Sequence, residues 1–231
     1  MTPEPIWRCG RHVLTFKLPL IMAIINLTPD SFSGDGLAGS VEAAKRQAER
    51  ALAEGAGILD LGGESSRPGS ESVSVQEELD RVIPAVEATV AFGVPVSVDT
   101  VKPEVMRAAI AAGATIINDI NALREPGAIE AVAASDAGVC LMHMQGQPRT
   151  MQAAPGYADV YADVEAFLLE RAGALKAAGV DASRICLDPG FGFGKALEHN
   201  LSLCRVLSRL NAQGCPGLGG VSRKSRLGGV T

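Results

Sequence analysis

Positive charge is in short supply in this chain. Lysine and arginine number 21 against 26 aspartates and glutamates, a net charge of −5. Proteins that grip a phosphate backbone carry a basic surplus. A general nucleic-acid binder is therefore excluded, although a local anion pocket is not. Cysteine is sparse as well: five residues, at 9, 140, 186, 204 and 215, odd in number and without CxxC spacing. That pattern speaks against zinc ligation and against a disulfide framework. Most of the five sit inside apolar runs, as buried, reduced thiols do. No uninterrupted apolar run reaches the roughly 18 residues that span a membrane. The opening MTPEPIWRCGRH lacks the basic-then-apolar layout of a signal peptide. A soluble cytoplasmic protein is the expectation. No internal repeat, heptad array, GxSxG elbow or Ser-His-Asp order stands out.

Apolar material, by contrast, is plentiful. Hydrophobic residues make up 47% of the 231, enough for one sizeable core. Short apolar runs alternate with Ala-rich helical stretches. The runs are 21–26, 57–62, 95–99, 115–119, 138–144, 184–188 and 217–222. Apolar almost throughout, they suit parallel strands buried on both faces. The stretches 40–55, 74–93, 102–113, 126–138, 159–179 and 196–214 read as helices. Several begin with Ser or Pro and stop at Gly. Ser40 with Glu42, and Ser74 with Glu77 and Glu78, read as caps with acids at the positive helix end. Pro84 is expected to kink or interrupt its helix.

Repeated βα units imply an α/β fold, either a (β/α)8 TIM barrel or a doubly wound sheet. The barrel is favoured because polar residues sit at the C-terminal ends of the runs: Asn26, Gly62 to Glu64, Asp99, Asn118 and Asp119, His143, Asp188 and Ser222. In a parallel barrel those ends share one rim around a pocket.

Each rim residue has a plain reading beside a functional one. Asp188 before Pro189 can cap a turn, and Asp99 with Thr100 can cap a helix. Asn118 is an amide in an apolar strand, and either a structural partner or a ligand can answer it. His143, between two methionines and without a second His at ligand spacing, reads as a core histidine. GFGFG lacks both GxGxxG spacing and a P-loop ending. Together, two carboxylates, an amide and Lys224 on one rim can grip a flat heterocycle that bears N–H donors.

The strings NLTPDSFSGDG (26–36), GGESSRPGS (62–70), SVDT, INDI, LMHMQG (141–146), LDPGFGFGK and SRKS, in this order, resemble the dihydropteroate synthase family from about Ile21 onward. The resemblance implies a folate-pathway transferase. It would join p-aminobenzoate to the methylene of a dihydropterin pyrophosphate and release pyrophosphate. It implies one pterin-binding barrel domain over residues 1–231. Residues 1–20 would be an extension or a hairpin plugging the barrel bottom. Asp188 would bind the ring N–H edge, with Asp99, Asn118 and Lys224 completing the pterin pocket, Met142 packing near it, and Ser222 binding substrate beside Lys224. Phe193 would line the aminobenzoate pocket, and Ser225 would donate to the aminobenzoate carboxylate. The bare glycines of 190–194 would let the backbone run close to ligand. Asn26 would meet magnesium (Mg2+) and pyrophosphate. The loops carrying Asp35, and Ser66 with Arg67, would close over the substrates. Asp35, Arg67 and Lys224 are the implied catalytic residues, and a homodimer is the implied assembly.

The chain departs from the family pattern in places. Gly34 precedes Asp35 where members commonly read SFSDGG. Ser66 replaces a threonine, and Arg226 stands where a large apolar residue is usual. The last strand and helices of the barrel are missing before Thr231, so a longer native protein is expected. Two alternatives belong to other classes. One is a pterin-binding methyltransferase acting from methyltetrahydrofolate to a corrinoid; the other is a non-catalytic pterin binder.

Overall fold

A computed structural model of the chain describes residues 6–28, 36–65, 72–146, 156–211 and 214–220; for 36–40 and 205–211 the description covers backbone alone. The elements in order are β1 (Ile6–Cys9), β2 (His12–Thr15), β3 (Met22–Asn26), α1 (Gly36–Ala53), β4 (Ile58–Gly62), α2 (Val75–Val90), β5 (Val96–Asp99), α3 (Pro103–Ala111), β6 (Ile116–Asp119), α4 (Ala128–Ala133), β7 (Gly138–Met142), α5 (Val160–Ala177), β8 (Ile185–Asp188) and α6 (Leu197–Asn211). Strands β3 to β8 form one six-stranded sheet in chain order. Every neighbouring pair in it is parallel. The βα reading of the sequence is met, and with it the α/β class.

Beyond β8 the seventh apolar run begins as expected. Gly217 bridges Leu187 in parallel, Leu187 N donates to Pro216 O at 2.9 Å, and Leu218 N to Leu187 O at 2.9 Å. Only this single bridge is described before residue 220. At the opposite edge stands β3, where Ile24 is 67% exposed.

Strand alternation sorts the side chains. Ile25, Leu59, Leu61, Val98, Ile117, Leu141 and Leu187 are buried in one large cluster with Val82, Val86, Met106, Val164 and Leu168 of the helices. Each such burial contributes on the order of 1.5–3 kcal/mol. The alternate residues face the other way. Ile58, Ile116, Cys140 and Cys186 there form a second cluster with Trp7 and Cys9 of the β1–β2 hairpin. That hairpin is anchored by Trp7 Nε1 donating to Arg184 O at 2.9 Å and by Gly10 N donating to Asp136 O at 2.9 Å. It covers the N-terminal side of the sheet's inner face and leaves the C-terminal side open.

Capping follows the sequence in part. The Ser74 hydroxyl accepts from Glu77 N at 3.2 Å, and Asp159 accepts from Tyr161 N and Ala162 N. Two expectations change. Helix α1 starts at Gly36, so Ser40 lies inside it rather than at its cap. Helix α2 runs through Pro84 without interruption. A proline removes one N–H from the ladder. The face carrying Glu78, Val82, Ala85, Val86 and Thr89 stays buried on both sides of it.

Candidate active site at the C-terminal ends of the strands

The inward alternation that fills the lower cluster continues upward into polar residues. Ile24, Asp60, Ser97 and Ile116 stand side by side through the register of β3 to β6. Two residues further along, Asn26, Gly62, Asp99 and Asn118 do the same. Met142 is level with Asp188. The C-terminal ends therefore hold an amide, an acid, a second amide, a thioether and a second acid around one inner face. Gly62 leaves room for the acid beside it: a Cβ there would lie 4.0 Å from Asp99 Oδ2.

Asp188 is 5% exposed, and its Oδ1 accepts Gly190 N at 2.7 Å. The plain turn-capping reading is met. Asn118 and Asp99 are half-buried, and Asn26 is exposed. Met142 packs with Met144, Ile120 and Phe193 in a small apolar cluster of its own. Among the sequence candidates, Asn26, Asp99, Asn118, Met142, Asp188 and Phe193 are described. Asp35, Ser66, Arg67, Ser222, Lys224 and Ser225 lie outside the described residues.

Electrostatics on this face favour the protonated form of its acids. The Asp99 carboxyl is raised well above the usual range, first by burial, then by the charges of Asp60, Asp119, Glu78 and Glu64. Asp60 is raised too, chiefly by burial, against hydrogen bonding that favours the anion. Asn118 Nδ2 donates to Asp60 Oδ2 at 3.2 Å. Ser97 lies near enough to moderate the rise, but its geometry falls short of a hydrogen bond. Asp60 Oδ1 and Ser97 Oγ are both left unpartnered among the described residues. The Cys140 thiol is raised by its hydrogen bond to Cys186, by burial, and by the charges of Cys186, Asp188 and Asp60. Strand register puts Asp60 of β4 and Asp188 of β8 on the same inner face as Cys140.

The glycine-rich loop after β8 has its own logic. Gly190 has φ +69°, and a Cβ there would fall 2.0 Å from His143 O; Gly194 has φ +59°, and its Cβ would fall 2.7 Å from Gln145 O. Both glycines let the loop press against the continuation of β7. At its centre is Lys195, fully buried. Its Nζ donates to Gly190 O and Phe193 O at 3.0 Å and to His143 O at 3.3 Å, and lies 3.0 Å from His143 Nδ1. His143 is buried, as the core reading expects, and its pKa is pushed down to about 3 by burial and by the Lys195 charge. It is neutral at physiological pH.

After β4, Lys102 Nζ bridges the carboxylates of Glu64 and Glu78. Arg81 Nη1 donates to Gly63 O at 2.8 Å. These contacts root residues 63–65 on α2. After β6, Asp119 accepts Asn121 N at 2.6 Å and Leu123 N at 2.8 Å. It thereby holds the turn containing the left-handed Ala122 and Leu123. Sequence reading passed over Asp60 and Lys195. The available signal was an acid in the middle of the apolar run GILDLG, and a lysine ending a loop otherwise free of charge.

Comparison with known proteins agrees with this geometry. The chain matches the family of pterin binding enzymes over residues 22–231. Dihydropteroate synthase of Escherichia coli (strain K12) is 52% identical over 216 residues, covering 93% of this chain and 77% of that protein. The Xanthomonas albilineans dihydropteroate synthase solved with 4-aminobenzoic acid superposes with a TM-score of 0.90 at 51% identity, covering 98% of this chain and 81% of that one. The Burkholderia cenocepacia dihydropteroate synthase solved with 7,8-dihydropteroate superposes with a TM-score of 0.87 at 51% identity, covering 98% and 80%. A shared fold at half identity, across nearly the whole chain, settles the family: the chain belongs to the dihydropteroate synthase family of pterin binding enzymes.

Proposed function

We propose that the acid-lined cup at the ends of β4 to β8 holds the pterin ring of the substrate, and that Asp188 is its principal anchor. The activity is that of the family. 6-Hydroxymethyl-7,8-dihydropterin pyrophosphate and p-aminobenzoate condense to 7,8-dihydropteroate and pyrophosphate. The observation that carries the site reading is a buried carboxylate, 5% exposed, level with Met142 on the next strand. A flat ring with an N–H edge matches both features. The edge donates to the acids, and the ring face lies against the thioether. Charge-assisted bonds of this kind contribute roughly 1.5–3 kcal/mol each.

The reaction needs a leaving group drawn off and water kept out. Loss of pyrophosphate leaves a methylene cation delocalised into the pterin, and the acids of the cup stabilise that charge. The weakly basic aniline nitrogen then attacks, with Phe193 beside its ring, and the acidic N–H of the adduct gives its proton to water or to the released pyrophosphate. No strong side-chain base is demanded. The exposed amide of Asn26 fits a Mg2+ ion that takes one protein oxygen and otherwise substrate phosphate and water. Bound there, the ion would neutralise charge on departing pyrophosphate. Asp35, Ser66, Arg67, Ser222, Lys224 and Ser225 complete the reading from their positions in the family strings, with Arg67 and Lys224 supplying positive charge. The whole chain is read as one barrel domain of a cytoplasmic homodimer. No helix among the described residues is long and apolar enough to cross a membrane.

Asp188→Asn tests the anchor. It keeps the volume and removes the anion, so calorimetry with the dihydropterin pyrophosphate should show at least a tenfold loss of affinity. Thermal unfolding should stay within a few degrees. A pyrophosphate-release assay with both substrates should fall in parallel. Unchanged affinity would defeat the assignment.

A further inference from the structure

Asn118 can show the guest either its oxygen or its NH2 group, and the two choices suit opposite ligands. An acceptor suits the N3–H, 2-amino and N8–H donors of a dihydropterin; a donor would face those groups like for like and suit only ring N1 between them. The choice is set one layer down. Asp60 stands level with Ser97 and Ile116, two residues below Asn118 along the strands. It is 4% exposed, and its Oδ2 accepts the Asn118 NH2 at 3.2 Å. With nitrogen drawn down toward Asp60, the amide oxygen points away from that layer, toward the strand ends. Oδ2 keeps this role even when Oδ1, unpartnered among the described residues, carries a proton.

We propose that Asp60 is a positioning residue for pterin recognition: it pins the Asn118 amide with its oxygen facing the N–H donors of the ring. This rests on the pterin-cup reading above and adds to it a buried residue that need not touch substrate. The arrangement contributes selectivity as well as affinity. A site whose acceptor is fixed rejects a ring that offers a carbonyl at that position, because both groups then lose their partners.

A double-mutant cycle tests it, reading the dissociation constant of the dihydropterin pyrophosphate by calorimetry and the KM of p-aminobenzoate by pyrophosphate release. Asn118→Ala should weaken pterin binding about tenfold. Asp60→Asn lets the two amides pair in either sense, and should weaken pterin binding about fivefold while leaving the p-aminobenzoate KM within about twofold. In the Asn118→Ala background the Asp60→Asn change should lose its effect on the pterin. An equal effect in both backgrounds, or an equal rise in both substrates' constants, overturns the inference and leaves the cup intact. An Asn118→Ala variant that binds pterin normally overturns this inference, while the cup reading stands or falls with Asp188→Asn. The wild type supplies a measurement that needs no folded Asp60 variant. The Asn118 side-chain NH2 resonances, identified by their loss in Asn118→Ala, should resist exchange with solvent in the free enzyme. Rapid exchange there overturns the pinning.

Discussion

Lys195 and His143 illustrate how much a single buried contact organises. A fully buried ammonium spans three carbonyls and an imidazole, joining the loop after β8 to the end of β7. Its charge and the surrounding burial keep His143 neutral, with a pKa near 3. Removing the charge in Lys195→Met should raise the His143 pKa. Burial, the larger cause, should still hold it below the ordinary value of about 6.5. An imidazole titration by NMR reads this directly, and a His143 pKa unmoved by the substitution would show that the contact is not electrostatic. Stability should fall by roughly 2–4 kcal/mol, since the carbonyls around the ammonium lose a donor in a buried place. Asp188, Asp99 and Asn118 were legible in the sequence because each is polar at the end of an apolar run. Lys195 and Asp60 were not, because their meaning lies in partners 52 and 58 residues away.

At the scale of elements, local rules account for most of what is seen. Helix α2 begins where a serine oxygen can take an orphan N–H, and Ser74→Ala should cost about 1 kcal/mol. Helix α5 carries a glycine where it has no local use. Gly173 is exposed, and a Cβ there meets nothing within 4 Å. Gly173→Ala should therefore stabilise by up to about 1 kcal/mol. Urea unfolding of the two variants should move in opposite directions, and a gain from Ser74→Ala would contradict the cap. Of the two outcomes expected at Pro84, interruption does not occur, because burial on both sides of the proline outweighs one missing bond. The same rules placed the start of α1 too late. The glycine-rich loop looked built for ligand approach. In the fold, Gly190 and Gly194 are required by the carbonyls of His143 and Gln145.

For the whole molecule, buried titratable groups on the helix-facing side of the strand ends couple stability to pH in opposing ways. His143 stays neutral when folded, so the folded state loses ground as pH falls from about 6.5 toward 3. Asp119 is raised from 3.8 to about 6, mainly by burial, against two backbone hydrogen bonds. Between those values the folded state holds the Asp119 proton more tightly than the unfolded chain, so this group adds stability as pH falls through that window. Asp119→Asn removes the compensation. Its unfolding free energy should drop more steeply than that of the wild type between about pH 6 and pH 4. Urea titrations across that range decide it; parallel curves would contradict the assignment.

What the sequence by itself determined is the alternation of strand and helix, the burial of the strands and the polar ends of their runs. These depend on periodicity and capping, which act over a few residues. The motif strings added the family. Only the tertiary structure decided which acids share an interior and which way the Asn118 amide faces. It also showed why the loop after β8 is made of glycine and closed by a lysine. Those outcomes depend on strand register and on one backbone approaching another, and no local pattern encodes the distance between Asp60 and Asn118 before the sheet exists.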